Sequence, residues 1–395
     1  MRLFQLSVAA IALGATIAGC SAAPEDESSE EDATRSRIAE RTISSVSDMP
    51  RTPPAPGRYR VHMIDVGSGL AILVQGSDFT MLFDGGSGDD ARGITLAGNK
   101  SRLLSYLFAA LGPSGAKACT PQGDVWPERP EGTQLTIDHV FLSHPHDDHV
   151  AMLDEVLRCY DVRNVWEPGL GYDNQNYGAF LKAASEKEEL HYHTVLPVPA
   201  SRSQQVAGEQ ITMPPSVTWT SFQENDTASL GAGARFKVLH TDAISHRENA
   251  NMNSLVLRVE LGKTSLLLLG DSMAGAPAQS IDATPSLTEG ALLLHHGRDI
   301  RADIMQVGHH GSQTSTRSAF LRQVKPAYAL LSAGPRPYTG TVLPDASVVN
   351  LLQKSVPHLL RTDDHDKIGC PAKDRIGVDD KSVGGCDNHV LEIAP

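Results

Sequence analysis

One octapeptide, SHPHDDHV at 143–150, constrains this chain of 395 residues more than any other feature. It places His144, His146, Asp148 and His149 within six residues, directly after the apolar run IDHVFLSH at 137–144. Neutral imidazoles and a carboxylate are the donor types that zinc and similar divalent ions take. On a turn from strand to helix, adjacent side chains splay in different directions, so four of them can serve two neighbouring metals. A solvated His/Asp-rich turn is the competing reading. Four ligand-type residues on one loop beside a core strand weigh against it. The next segment reads as a helix, because Val150, Leu153 and Leu157 fall at three- and four-residue steps and make one buried face.

The rest of the chain supplies strands and helices in a layered order. RYRVHMID at 58–65, LAILVQG at 70–76 and FTMLFDGG at 79–86 read as strands bounded by Gly, Ser and Asp. At 255–261, Leu255, Leu257, Val259 and Leu261 fall on one side and Arg258 and Glu260 on the other. Gly262-Lys263 then turns the chain into TSLLLLGD, which predicts a hairpin. Helical patches lie near 99–111, 149–159, 176–190 and 345–356. This succession predicts an α/β protein built in layers.

The motif and its neighbours carry a specific resemblance. HxHxDH is the signature of the metallo-β-lactamase superfamily, and the flanking segments resemble its ComEC-like competence-protein branch. VHMIDVGSGLAILVQGSDFTMLFDGG is similar to that branch's opening hairpin, and NMNSLVLRVELGKTSLLLLGD to its central hairpin ending in Gly-Asp. ADIMQVGHHGSQTSTRSAFLRQVKPAYALLSAG resembles its HHGS segment, and HLLRTDDHDKIG its closing strand. The resemblance implies an αββα sandwich with a metal site at one edge between the sheets. It implies His144 and His146 as ligands of one metal, Asp148 and His149 as ligands of the other, and Asp271 as the carboxylate bridging both. Asp84 matches the acid that steadies the ligand loop. Of His309 and His310, one is expected as a ligand and one as a group facing substrate; His310 is taken as the ligand and His309, with Asp148, as catalytic. The implied cofactor is one or two divalent ions, zinc first among them.

Three departures stand beside these matches. Leu70 occupies a position where the branch usually has an acid, and Val342-Leu343-Pro344 lies where it usually has His-Pro. A ligand is also expected between His149 and Asp271, with His240, His246 and Asn253 as candidates. A catalytically degenerate member is therefore an alternative expectation.

Other chemistries find no support in the sequence. It contains no GxSxG elbow, no GxxxxGK[ST] phosphate loop and no clean Rossmann glycine pattern. Lys plus Arg number 34 against 47 Asp plus Glu, a formal charge of −13. That balance gives no help to nucleic-acid binding, which usually rests on a basic surface.

The N-terminus predicts export. Met1-Arg2, an apolar run and Ile17-Ala18-Gly19-Cys20 resemble a bacterial lipoprotein signal, with Cys20 acylated and residues 1–19 removed. Residues 20–57 then read as the lipidated Cys and an acidic, Ser- and Pro-rich tether, and 58–395 as the hydrolase domain. Cys119–Cys159 and Cys370–Cys386 are the disulfides suggested by sequence neighbours; free thiols are the alternative. The functional expectation is a lipid-anchored, extracytoplasmic metal-dependent hydrolase of phosphodiester or phosphoester bonds, its membrane contact made through the anchor alone. A surface binding lipoprotein and a lactonase or β-lactamase-like hydrolase are the other readings.

Overall fold

The computed structural model describes residues 37–87, 102–112, 136–169, 171–195, 203–243, 249–338, 340–365 and 386–395. Within them, the first part of the chain forms β1 (Ile38–Ile43), β2 (Tyr59–Met63), β3 (Ile72–Gln75), β4 (Thr80–Phe83) and α1 (Arg102–Leu111). β5 (Thr136–Phe141), α2 (Asp147–Val150), α3 (Leu153–Cys159), β6 (Asp161–Glu167), α4 (Gln175–Ser185) and β7 (His191–Thr194) follow. A hairpin of β8 (Ser203–Val206) and β9 (Glu209–Thr212) precedes β10 (Thr218–Ser221). The second half contains β11 (Thr227–Gly231), β12 (Ala234–His240), β13 (Val256–Leu261), β14 (Thr264–Leu268) and α5 (Leu287–His296). It closes with β15 (Ile304–Gln306), α6 (Ser318–Val324), β16 (Tyr328–Leu331), α7 (Ala346–Ser355), β17 (His358–Arg361) and β18 (Asn388–Ile393).

Two sheets result, in the orders β1-β18-β2-β3-β4-β5-β6-β7-β10 and β11-β12-β13-β14-β15-β16-β17. Each begins with antiparallel pairs and continues with parallel ones, which need crossover connections that carry helices. The side chains divide by the two-residue period of a strand. Ile72 and Val74 of β3, Met81 and Phe83 of β4, and Leu266 and Leu268 of β14 enter one core between the sheets. Leu73 and Leu82 point the other way, into a core shared with α1, α3 and α4. Leu267 and Met305 likewise join α5, α6 and α7 on the far face of the second sheet. Both faces of each sheet are thus covered, which explains apolar runs such as LAILV and LLLL. The expected αββα sandwich is the observed one, and the hairpin anticipated at Gly262-Lys263 is β13–β14.

One boundary moves. Residues 38–43 were expected in the tether, yet IAERTI forms β1 and pairs antiparallel with β18 from Ile38↔Ile393 to Ile43↔Asn388. Ile38, Ile43 and Met49 are buried. The four residues between the isoleucines are exposed and three of them are charged or polar, so this edge strand reads as solvated spacer until its partner is known. Cys20, Cys119 and Cys370 lie outside the described residues, and with them the lipidation and both expected cysteine pairings. Among the described residues, no helix is long and apolar enough to cross a membrane.

Candidate metal centre

The C-terminal ends of β4, β5, β14, β15 and β16 converge at one edge of the sandwich. Two close approaches set the spacing there. Leu255 N donates to Ser143 O at 2.8 Å across the sheets. Gly270, at φ +53, comes so near that a Cβ would lie 2.7 Å from Ser143 Cβ. Any side chain at 270 would push Asp271 away from the His-rich loop.

That loop is shaped by its own backbone. His146 O accepts from His149 N and Val150 N, which starts α2 at Asp147. The single turn sends Asp147 into solvent and Asp148 and His149 inward. Two neighbouring segments brace it: Leu70 N of the loop 67–70 donates to Asp148 O at 3.1 Å, and Gly85 N, just after β4, donates to His149 O. Gly69 sits at φ +115, and a Cβ there would lie 2.3 Å from Asp148 O. Leu70 itself turns into the core between the sheets, so only its backbone serves the site.

Asp148, His149, Asp271 and His310 each present one donor atom, all within 4.8 Å of one another and all buried. His149 Nε2 is 3.2 Å from His310 Nε2 and 3.2 Å from Asp271 Oδ1. His310 Nε2 is 3.2 Å from Asp148 Oδ2 and 3.3 Å from Asp271 Oδ1. Tetrahedral donors around zinc at about 2.0–2.1 Å stand about 3.4 Å apart, so these separations match.

Proton placement agrees with that match. His149 Nδ1 lies 2.7 Å from Asp84 Oδ2, and His310 Nδ1 lies 3.0 Å from the Ser332 carbonyl. Both partners are acceptors, so both Nδ1 atoms carry the proton and both Nε2 lone pairs face inward. Asp271 Oδ1, buried beside them, faces only these two imidazole nitrogens, neither at good hydrogen-bonding geometry. Two imidazole lone pairs and a bare carboxylate oxygen turned on one point suit a cation, and the residues present fit a divalent metal.

Electrostatics describe the same cage by its pull on protons. Burial alone would lower His149, but Asp271, Asp84 and Asp148 hold it well above the ordinary histidine value, so without a cation in the cage a proton on Nε2 takes the place a metal would fill. Burial would raise Asp271, yet His310, His149 and His309 hold it well below the usual carboxylate range.

The outer side is built by His144, His146 and His309. His144 Nε2 is 3.0 Å from His146 Nδ1 and 3.8 Å from Asp271 Oδ2. Burial lowers His144 far below the ordinary imidazole value, and its neighbours His149 and His146 lower it further, so it is neutral. His309 and His310 follow β15 and both adopt left-handed backbone, at φ 49 and 51, before Gly311 at φ 74. These non-glycine residues are strained. Gln313 N bonded to Asp345 and Ser315 Oγ bonded to Gly308 O hold the loop in place. The left-handed step turns His310 into the cage while His309 stays at the rim, 3.8 Å from Asp271 Oδ2.

All eight site residues expected from Asp84 to His310 meet at this edge. The third-region candidates do not. His240 pairs with Glu224 at 3.1 Å, Asn253 donates to Asp242 O, and His246 is outside the described residues. Asn251 stands there instead, donating to His309 Nε2 at 3.0 Å. It lies in a one-turn 3-10 helix, Ala250–Asn253, whose short span carries no periodic signal. Leu343, in the stretch where the branch usually has His-Pro, is buried, and His310 is a member of the cage. Ser143 also escaped sequence reasoning, since a lone serine carries no motif.

The family model for the metallo-beta-lactamase superfamily matches residues 64–334. The chain belongs to the metallo-β-lactamase superfamily. Among its relatives, "ComE operon protein 3" of Bacillus subtilis is 26% identical over 242 residues, 61% of this chain and 25% of that protein. "Recombination protein 2" of Haemophilus influenzae is 26% identical over 276 residues, 70% of this chain and 24% of that protein. The chain therefore spans about a quarter of the length of these curated relatives. The solved metallo-beta-lactamase fold protein YhfI from Bacillus subtilis is similar at a TM-score of 0.39 and 12% identity, over 76% of this chain and 95% of that one. The superfamily relation and the buried His/Asp cage together make this a hydrolase-like protein with a candidate metal site, related to competence proteins.

Proposed function

We propose that this chain is an extracytoplasmic, lipid-anchored hydrolase of phosphodiester or phosphoester bonds, dependent on one or two divalent ions with zinc foremost. The observation that carries it is the cage of Asp148, His149, Asp271 and His310, with inward lone pairs and an orphaned carboxylate oxygen. A cation held there lowers the pKa of water and offsets charge developing on the scissile group. Asp148, the most exposed member of the cage, orients the attacking water and takes up its proton. Asp84 fixes His149 from behind, and Ser332 O fixes His310. His309 borders the opening. The ComEC-like resemblance supports the phosphoester substrate; the acidic surface favours small or metal-neutralised substrates over long nucleic acid. Cys20 supplies the anchor, and Cys119–Cys159 and Cys370–Cys386 the disulfides, of this reading.

The test pairs His149→Ala and His310→Ala with metal analysis and a chromogenic phosphodiester assay. Both variants are expected to keep the fold, hold less metal and lose hydrolysis; unchanged metal content would overturn the assignment. Leu70, in place of the branch's acid, favours a second reading as a surface binding module. Less than one metal per chain in the unsubstituted protein, with no hydrolysis, would select it.

A further inference from the structure

We propose that the acidic segment Pro24–Asp32 binds a basic cleft between the ends of α6 and α7, on the side of the molecule away from the metal centre. The segment precedes Arg37, the first described residue, and its docking depends on neither the metal nor the substrate.

The cleft has a volume of about 760 Å³. α6 ends at Val324 and α7 at Ser355, and residues at both C-termini line it. Leu321, Leu351 and Val356 give it an apolar lining, and Arg322, Lys325 and Lys354 make it basic. All three cations are exposed. Among the described residues, no Asp or Glu lines it. Helix C-termini attract cations in their own right, because each carries about half a negative charge. Two such ends offset about one of the three positive charges, so the cleft keeps a surplus of about two. That surplus runs against the sign of a chain whose formal charge is −13.

The position of β1 brings the acidic segment to this cleft. Tyr328 Oη donates to Ile38 O at 3.4 Å, and His358 Nδ1 lies 3.4 Å from Glu40 Oε2. Tyr328 and His358 begin β16 and β17, and Pro326 and Pro357, just upstream of them, line the cleft. The chain preceding β1 therefore starts beside the cleft. Residues 24–32, PEDESSEED, hold six acids and no base. Asp32 is five positions before Arg37, and five residues reach at most about 18 Å. A single exposed ion pair contributes little. A tethered segment, however, is present at an effective concentration on the order of millimolar, so several weak pairs act together. The metal centre stays open in this arrangement. Ser332, which holds His310, lies at the opposite end of β16 from Pro326, about 20 Å away along extended chain.

The experiment couples carboxylates to lysines at zero length with a carbodiimide, in the full chain kept dilute in neutral detergent, and maps the joined peptides by mass spectrometry. Coupling of residues 24–32 to Lys325 and Lys354 should exceed coupling to Lys182, an exposed lysine on α4, at least five-fold. It should not change over a ten-fold dilution. Arg322→Glu should reduce it at least five-fold with an unchanged melting temperature, and Arg322→Lys should preserve it. Salt at 1 M, where the screening length is about 3 Å, should reduce it likewise. Coupling at Lys325 and Lys354 no greater than at Lys182, or no loss in Arg322→Glu, would overturn the proposal. Coupling that falls with dilution would give the cleft to a second copy. Retention on phosphatidylglycerol but not phosphatidylcholine vesicles, abolished by Arg322→Glu and without coupling, would give it to a lipid surface. Either result overturns the proposal.

Discussion

The sharpest single perturbation of this site is Asp84→Asn, which changes one atom without touching a ligand. Asp84 Oδ1 accepts from Ser143 N at 2.6 Å, while Oδ2 accepts from Ser143 Oγ and His149 Nδ1, both at 2.7 Å. Asp84 is fully buried at φ 62, a left-handed conformation that Asn adopts readily, so the backbone gives no reason for unfolding. In the variant, the amide oxygen keeps Ser143 N and the amide NH₂ faces His149 Nδ1. Two donors cannot meet there, so His149 must shift its proton to Nε2, the atom aimed at the cage. A ligand nitrogen becomes an N–H. Loss of one charge-assisted hydrogen bond costs about 1.5–3 kcal/mol. Outer-shell changes of this kind lower metal affinity about 10–100-fold, or about 1.4–2.7 kcal/mol. Competition of metal-free protein against a chromogenic chelator measures the affinity directly, and a melting curve without metal checks the fold. An affinity within about three-fold of the unsubstituted protein would refute the tautomer argument.

Three further outcomes are expected. Gly69→Ala should destabilise the protein by about 2–5 kcal/mol, through a positive φ and a Cβ driven into Asp148 O, and weaken metal binding in parallel; denaturant unfolding and metal titration read both. Burial pushes Glu167 up to about 7 from 4.5, against hydrogen bonds from Gly169 N, Tyr192 and Tyr177. The native state then holds a proton that the unfolded chain releases, so stability falls by about 3 kcal/mol as pH rises from 4.5 to 7. Glu167→Gln should flatten that part of a stability-against-pH curve, and an unchanged slope would place the dependence elsewhere. A variant beginning at Arg58 should unfold at lower temperature and aggregate more than one beginning at Arg37, because it uncovers the edge of β18 and loses buried Ile38, Ile43 and Met49, each contributing about 1.5–3 kcal/mol.

Legibility in the sequence followed the range of the interaction that fixes each part. The β13–β14 hairpin was legible because its pairing is local and its alternation matches one buried face. Asp148 and His149 were legible because one helical turn carries them both. Asp271 and His310 needed the resemblance, since a strand-end Asp or a His-His-Gly tripeptide has no direction until two sheets bring it to a common edge. β1 was not legible: its two buried residues are five apart, and their partners lie at the other end of the chain. Asn251 and Ser143 were hidden for another reason. Their importance lies in where single protons sit, a property of three-dimensional neighbours.

The place of β18 bears on how the protein reaches this structure. It lies between β1 and β2, bonded to both, and Asn388 donates to Ile43 O across 345 positions of chain and accepts from Asp65 N across 323. Few contacts could close a longer loop, and closure entropy must be met before those contacts stabilise anything. Until β18 is available, β1 and β2 therefore stand apart with an open slot between them. The sheet that carries Asp84 and the His-rich loop closes only when residues 388–393 arrive. Assembly of the candidate metal centre is thereby tied to the arrival of this late strand.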